Sequence, residues 1–141
     1  MAMFEILGKE ITGSRVLDLF AGSGALGLEA ISRGARSCDF VEFRPSSIHA
    51  IKANIAALKV KERTRLFKRD AIPYAERLSV GSYDVVFADP PYGSKILDRI
   101  VRGWLERRFS RVLIVEHAQS HELPAGGKRV VVEEGVVTSY R

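Results

Sequence analysis

The tetrapeptide Asp89-Pro90-Pro91-Tyr92 follows directly on the apolar run Val85-Val86-Phe87-Ala88, and packing alone gives no reason for it. Consecutive prolines lack N–H groups and fix φ, so they cannot continue a central strand. The chain must stop and turn there. That leaves a carboxylate, free carbonyls and an aromatic ring at the carboxyl edge of a sheet, the edge where open α/β sheets bind ligands. A carboxylate that only accepts hydrogen bonds, set beside an aromatic plane, suits a flat molecule carrying an amino group, and a nucleobase is the obvious candidate.

A second element is Val16-Leu17-Asp18-Leu19-Phe20-Ala21-Gly22-Ser23-Gly24-Ala25-Leu26-Gly27, which reads as a strand running through a glycine turn into a helix. Gly22 and Gly24 let the backbone approach a ligand, and a helix N-terminus offers free N–H groups. Gly22, Gly24 and Gly27 also satisfy the G-x-G-x-x-G spacing of a dinucleotide site, with Glu42 at the distance of a ribose-binding acid, but that pattern alone is weak. Asp18, four residues before Gly22, would confront a ligand ammonium group better than a pyrophosphate. Nothing in hydride transfer calls for the Asp-Pro-Pro-Tyr turn. A ligand with an amino-acid end and a nucleoside end fits better, and S-adenosylmethionine is such a molecule. Asp18 would face its amine, Glu42 its ribose hydroxyls and Asp70 its adenine amino group. The competing structural readings are a helix-leading acid for Glu42 and an N-cap for Asp70.

These residues need a scaffold, and the chain supplies a regular one. Apolar runs suited to buried strands alternate with segments of helical period, the pattern of a parallel sheet covered by helices. Strands are expected at 16–20, 37–43, 64–68, 83–88 and 112–116. Helices are expected at 25–33, from Pro45 with Ile48, Ile51, Ile55 and Leu58 on one face, at 71–78 and at 96–107 with Ile96, Ile100, Val101 and Trp104 inward. Segments 128–133 and 136–140 flank Glu134-Gly135 and read as an antiparallel hairpin. The fold class is thus α/β, a doubly wound, mostly parallel sheet with a C-terminal antiparallel hairpin, in one domain spanning 1–141. With 141 residues and 46% hydrophobic content the chain can bury a real core. Lys plus Arg number 22 against 17 Asp plus Glu, a net +5, which leans toward a polyanionic partner without establishing one. The single cysteine, Cys38, excludes an internal disulfide and a thiolate metal cluster, so a reducing cytoplasm is the expected location. No run of about 18 apolar residues suggests a membrane span.

Taken together, the glycine loop from Asp18 to Ala30, the acidic end of the second strand and Asp89-Pro90-Pro91-Tyr92 resemble the bacterial family of small-subunit ribosomal RNA guanine-N2 methyltransferases. The likeness runs from about Met3 to Tyr140, its most specific part is the first loop, and the closing segment from Glu134 to Tyr140 is similar to the family's terminal hairpin. The resemblance implies the Rossmann-like fold of class I S-adenosylmethionine-dependent methyltransferases. It maps Asp18, Phe20, Ala21, Gly22, Ser23, Gly24, Glu42, Phe43, Asp70, Ala71 and Asp89 onto cofactor positions. Asp89, Pro90, Pro91 and Tyr92 map onto the catalytic motif. The implied partner is ribosomal RNA or the assembling small subunit, with a monomeric protein and no metal. Asp89 and the Pro90 carbonyl would accept the two amine hydrogens of guanine and aim the lone pair at the sulfonium methyl. Tyr92 would stack on the extruded base, a contact worth about 1–3 kcal/mol. Family members usually carry a basic, glycine-containing N-terminal extension that helps grip RNA, and this chain starts almost at the helix after it. The cofactor site is therefore expected to carry over, whereas RNA affinity of this chain alone does not follow.

Other readings stand beside this one. Asp-Pro-Pro-Tyr is shared more widely among amino methyltransferases, so adenine N6 or a protein glutamine amide is an alternative acceptor, as is a non-catalytic nucleotide-binding module. His117 and His121 have the i, i+4 spacing of a zinc pair, but no third ligand or catalytic Glu accompanies them, and they read as solvent-facing loop histidines. Glu116 closes the fifth strand near the same edge, either lining the substrate pocket or simply ending the strand. Cys38 reads as a small core residue. Arg99, Arg102, Arg107, Arg108 and Arg111 form a basic stripe, interrupted by Asp98 and Glu106, that could track phosphates.

Overall fold

In the computed structural model of the chain, residues 2–90 and 94–141 are described. The elements run α1 (Ala2–Leu7), a single 3₁₀ turn (Gly8–Ile11), β1 (Arg15–Leu19), α2 (Ala25–Ser32), β2 (Ser37–Glu42), α3 (Pro45–Leu58), β3 (Thr64–Lys68), α4 (Ala71–Glu76), β4 (Tyr83–Ala88), α5 (Ser94–Arg107), β5 (Ser110–His117), β6 (Lys128–Val132) and β7 (Gly135–Tyr140). The seven strands form one sheet in the order β3-β2-β1-β4-β5-β7-β6. The first five are parallel to one another. β7 runs antiparallel to both β5 and β6. The strand order reverses between β1 and β4, and in such sheets the crevice at that switch point is where ligands sit.

Strand alternation sorts the core into two layers, because successive side chains point to opposite faces. Val16, Cys38, Phe40, Val85, Phe87, Val112 and Ile114 pack with residues of α1, α2 and α3. Leu17, Leu19, Val41, Val86, Ala88, Leu113 and Val115 pack with residues of α4 and α5, including Leu97, Ile100, Val101 and Trp104. Strands buried on both faces explain why 83–88 and 112–116 read as continuous apolar runs. Trp104 is anchored as well as buried, its indole N–H donating to the Ser110 carbonyl at 3.0 Å.

The apolar face expected for α3 is only half realised. Ile51 and Ile55 are buried, but Ile48 is partly exposed and Leu58 is 58% exposed. β3 is the edge strand, so no further strand lies outward of it to receive the last turn of α3. On α5, Ile96 is partly exposed while its neighbour Leu97 is buried. Among the described residues no helix is long and apolar enough to cross a membrane.

Candidate active site

The turn after β1 is built from unusual backbone. Phe20 has φ 58°, Gly22 59° and Gly24 84°, the left-handed region that costs a bulky residue such as Phe20 strain. Hydrogen bonds hold it: Ala21 N–H donates to the Val41 carbonyl at 3.1 Å and Gly24 N–H to the Ala21 carbonyl at 2.8 Å. The side-chain amide of Asn54, on α3, donates to the Ser23 carbonyl at 3.1 Å. Gly27 has a different task. A Cβ there would lie 2.6 Å from Cys38 Sγ and 2.9 Å from Phe40 Cζ, so its missing side chain lets α2 press against β2.

Asp18, near the end of β1 and just before this turn, is almost completely buried, and its Oδ2 accepts from Gly27 N–H at 3.0 Å. Burial pushes its carboxyl up to about 8; the Gly27 N–H opposes this, and the nearby charges of Asp89 and Glu42 add to it. At neutral pH the group is largely protonated, and a cation brought to it would favour the charged form.

Glu42 ends β2 with its carboxylate heavily used. Oε1 accepts from Gly22 N–H at 2.9 Å, and Oε2 accepts from Phe43 N–H at 3.0 Å and Arg44 N–H at 2.9 Å. The Arg44 guanidinium adds contacts at 3.1 and 3.2 Å. Burial raises the carboxyl pKa, but the Arg44 guanidinium and the N–H groups of Arg44 and Gly22 outweigh it and hold the group below its ordinary value. Asp70 caps α4, its Oδ1 accepting from Ile72 N–H at 3.2 Å. Glu42, Phe43, Asp70 and Ala71 also border, with Phe20 and Ile96, a cavity of about 240 Å³. Phe43 is 61% exposed beside it, a flat apolar surface without a partner ring among the described residues.

On the other side of the turn, Asp89 and Pro90 border a cavity of about 500 Å³ together with Leu97, Glu116, His117 and His121. Asp89 is exposed at the end of β4, and desolvation by the surrounding edge raises its carboxyl pKa. Pro91 and Tyr92 lie outside the described residues. Asp18, the glycine turn, Glu42, Asp70 and Asp89 therefore share one edge of the sheet, with the two cavities flanking the β1 turn.

One expectation needs correction. His117 does not lie in a loop, and His121, which does, has only 14% of its side chain exposed rather than facing solvent. His117 is the last residue of β5, with Nε2 2.7 Å from Thr138 Oγ1, and His121 Nε2 lies 3.1 Å from Asp98 Oδ1. The two rings meet edge to face at 5.7 Å and wall the larger cavity. Their partners come from β7 and α5, far away in sequence; the usable signal is their place at and just past the carboxyl end of β5. Among the described residues no group of three or more His, Cys, Asp and Glu is arranged to hold a metal ion. Of the five arginines of the expected stripe, Arg99 pairs with Glu76 at 2.9 Å, Arg107 donates to the Ala75 carbonyl at 3.1 Å, and Arg108 lies over the Trp104 ring at 4.3 Å, while Arg99, Arg102 and Arg107 border one cavity interleaved with Glu76, Asp98 and Glu106. Arg44, Ser120 and Glu122 border or brace the site without having been singled out, and no local pattern marks them.

Comparisons with known proteins place the family and the fold. The family model described as Conserved hypothetical protein 95 matches residues 1–134. The chain is 33% identical over 129 residues to the YlbH protein of Bacillus subtilis, covering 87% of this chain and 70% of that one. It is 31% identical over 127 residues to ribosomal RNA small subunit methyltransferase D of Buchnera aphidicola, covering 86% of this chain and 66% of the other. It spans about half, 54%, of the Escherichia coli protein of the same name, at 32% identity. A conserved hypothetical protein of Streptococcus pyogenes superposes with a TM-score of 0.85 at 31% identity, over 99% of this chain and 92% of that chain. An RNA methyltransferase from Salinibacter ruber in complex with S-adenosyl-L-homocysteine shares the fold, with a TM-score of 0.76 at 13% identity over 99% of this chain and 86% of that one. The architecture is that of the class I methyltransferases. Matched over nearly its whole length, the chain belongs to the family of the ribosomal RNA small subunit methyltransferase D proteins.

Proposed function

We propose that this chain transfers a methyl group from S-adenosylmethionine to the exocyclic N2 amine of a guanine in small-subunit ribosomal RNA, acting as a monomer in the cytoplasm, with one domain carrying both substrate sites. The observation that carries the reading is the pair of cavities on either side of the β1 turn, one apolar and bounded by Glu42, Phe43 and Asp70, the other opening at Asp89. The names of the relatives supply the class of acceptor.

The donor set suits the methyl donor end to end. Phe43 and Ile96 offer apolar surface to an adenine, Glu42 offers a charged acceptor to ribose hydroxyls, and the glycine turn leaves backbone open beside them. Asp18, raised by burial, gains its charge when a cationic amine approaches. S-adenosylmethionine supplies a methyl group already activated by its sulfonium, so the protein mainly positions the acceptor. Guanine N2 is a poor nucleophile because its lone pair is delocalised into the ring. Asp89 and the Pro90 carbonyl accept its hydrogens, turn the nitrogen toward tetrahedral geometry and hold it for in-line attack. One amine proton must leave as the N–C bond forms, and Asp89, made more basic by desolvation, can hold it. The base has to be unpaired or flipped to reach this edge. Transfer from labelled S-adenosylmethionine to unmodified small-subunit RNA, followed by nucleoside analysis, tests the reading: N2-methylguanosine supports it, and N6-methyladenosine or no transfer overturns it.

A further inference from the structure

β4 and β5 pair in parallel up to Ala88 opposite Val115. Asp89 and Glu116 are the next residue on each strand, so the pleat aims both to the same side, from strands about 4.8 Å apart. Both border the cavity of about 500 Å³. Among the described residues neither carboxylate has a hydrogen-bond or opposite-charge partner, whereas Asp39, Glu42 and Asp84 each pair with an arginine and Asp18 takes a backbone N–H. Desolvation first, then Asp89 and Glu134, raises the Glu116 pKa. The described lining contains Glu122 as a third acid and neither lysine nor arginine. Such a cavity rejects phosphate and accepts a ligand edge made of donors.

Guanine has that edge. Its N1–H and N2 amine stand side by side, while adenine and cytosine each put a ring-nitrogen lone pair next to their amine. Given the reading proposed above, on which this rests, we infer that Glu116 is the residue that selects guanine: with Asp89 on the N2 amine, the Glu116 carboxylate accepts the N1–H and repels the lone pair that adenine or cytosine presents there. The hydrogen bonds of His117 to Thr138 and of His121 to Asp98 fix the wall on which Glu116 is carried.

The test compares wild type, Glu116→Gln and Glu116→Asp on unmodified small-subunit RNA and on the same RNA with 2-aminopurine in place of the methylated guanine. 2-Aminopurine keeps the amine and lacks the N1–H. Glu116→Gln is expected to lower kcat/KM for N2-methylguanosine formation about 10–100-fold, the worth of a hydrogen bond to a charged acceptor. Its amide can donate to the bare N1, so it should also narrow the preference of guanine over 2-aminopurine by about tenfold or more. Glu116→Asp keeps the charge and should keep that preference even where its rate falls. Affinity for S-adenosylhomocysteine should stay unchanged in both variants. An unaltered rate and base preference in Glu116→Gln, or a lost preference in Glu116→Asp, overturns the inference while leaving the methyltransferase reading intact. A wild-type product other than N2-methylguanosine overturns that reading, and the inference with it.

Discussion

Replacing Gly27 with alanine puts a methyl group where α2 and β2 touch. The new carbon would sit 2.6 Å from Cys38 Sγ and 2.9 Å from Phe40 Cζ, against 3.4–4 Å for ordinary contact. Cys38 and Phe40 are both fully buried, so neither can swing into solvent, and α2 must move out by about 1 Å or the ring must leave its rotamer. Overpacking costs about 1–3 kcal/mol, and with two fully buried neighbours closer than 3 Å the upper half of that range applies, about 2–3, of which alanine's better helix propensity returns about 1. The net expectation is a loss of about 1–2 kcal/mol, roughly 3–8 °C in Tm for a chain of this size. Since α2 begins at the glycine turn and the Gly27 N–H holds Asp18, the same movement should weaken S-adenosylhomocysteine binding, read by isothermal titration. Phe40→Leu removes the outer ring atoms, so Gly27→Ala introduced into that background should cost about 1 kcal/mol less than in the wild type. A Gly27→Ala protein with unchanged Tm and affinity, or an equal cost in both backgrounds, would refute the packing role.

Two further outcomes follow from the carboxylates. Asp18 has its pKa raised from 3.8 to about 8, so the folded protein keeps a proton that the unfolded chain has lost; the associated stability is full below about pH 4 and falls as pH rises toward 8. Asp18→Asn removes that loss, and its urea-unfolding stability relative to wild type should climb by up to about 1.4 kcal/mol per pH unit across that window and then level off, whereas parallel curves would contradict the buried carboxyl. Arg44 occupies Glu42 with a half-exposed guanidinium, a pair worth about 0.2–1 kcal/mol, so Arg44→Ala should tighten S-adenosylhomocysteine about two- to fivefold by freeing the acid, and weaker binding would mean that Arg44 itself holds the ligand.

What the residues reveal unaided depends on how local the cause is. Thr64–Lys68 and Tyr83–Ala88 coincide with the expected strands to the residue; Thr64–Lys68 carries only Leu66 and Phe67 as apolar residues, whereas for Tyr83–Ala88 the cause is local, because a mostly apolar run ending at Asp-Pro-Pro needs nothing distant to define it. The parallel sheet and terminal hairpin were legible for the same reason, and so was the shared edge that gathers Asp18, Glu42, Asp70 and Asp89. Exposure of Leu58 was not legible, since it depends on β3 being the last strand of the sheet. Nor were the anchors of His117 and His121, which come from Thr138 and Asp98, or the engagement of Glu42 by Arg44. In each of these cases the partner is chosen by tertiary geometry that no spacing rule encodes.

The central claim is that Asp89 holds a guanine amine for methyl transfer. Its most direct measurement runs wild type and Asp89→Ala side by side, with labelled S-adenosylmethionine and unmodified small-subunit RNA, and analyses the nucleosides. N2-methylguanosine from the wild type, with transfer by Asp89→Ala reduced by a factor on the order of a thousand and S-adenosylhomocysteine affinity nearly unchanged, is the predicted result. Undiminished transfer by Asp89→Ala, or label recovered in a different nucleoside, would contradict it.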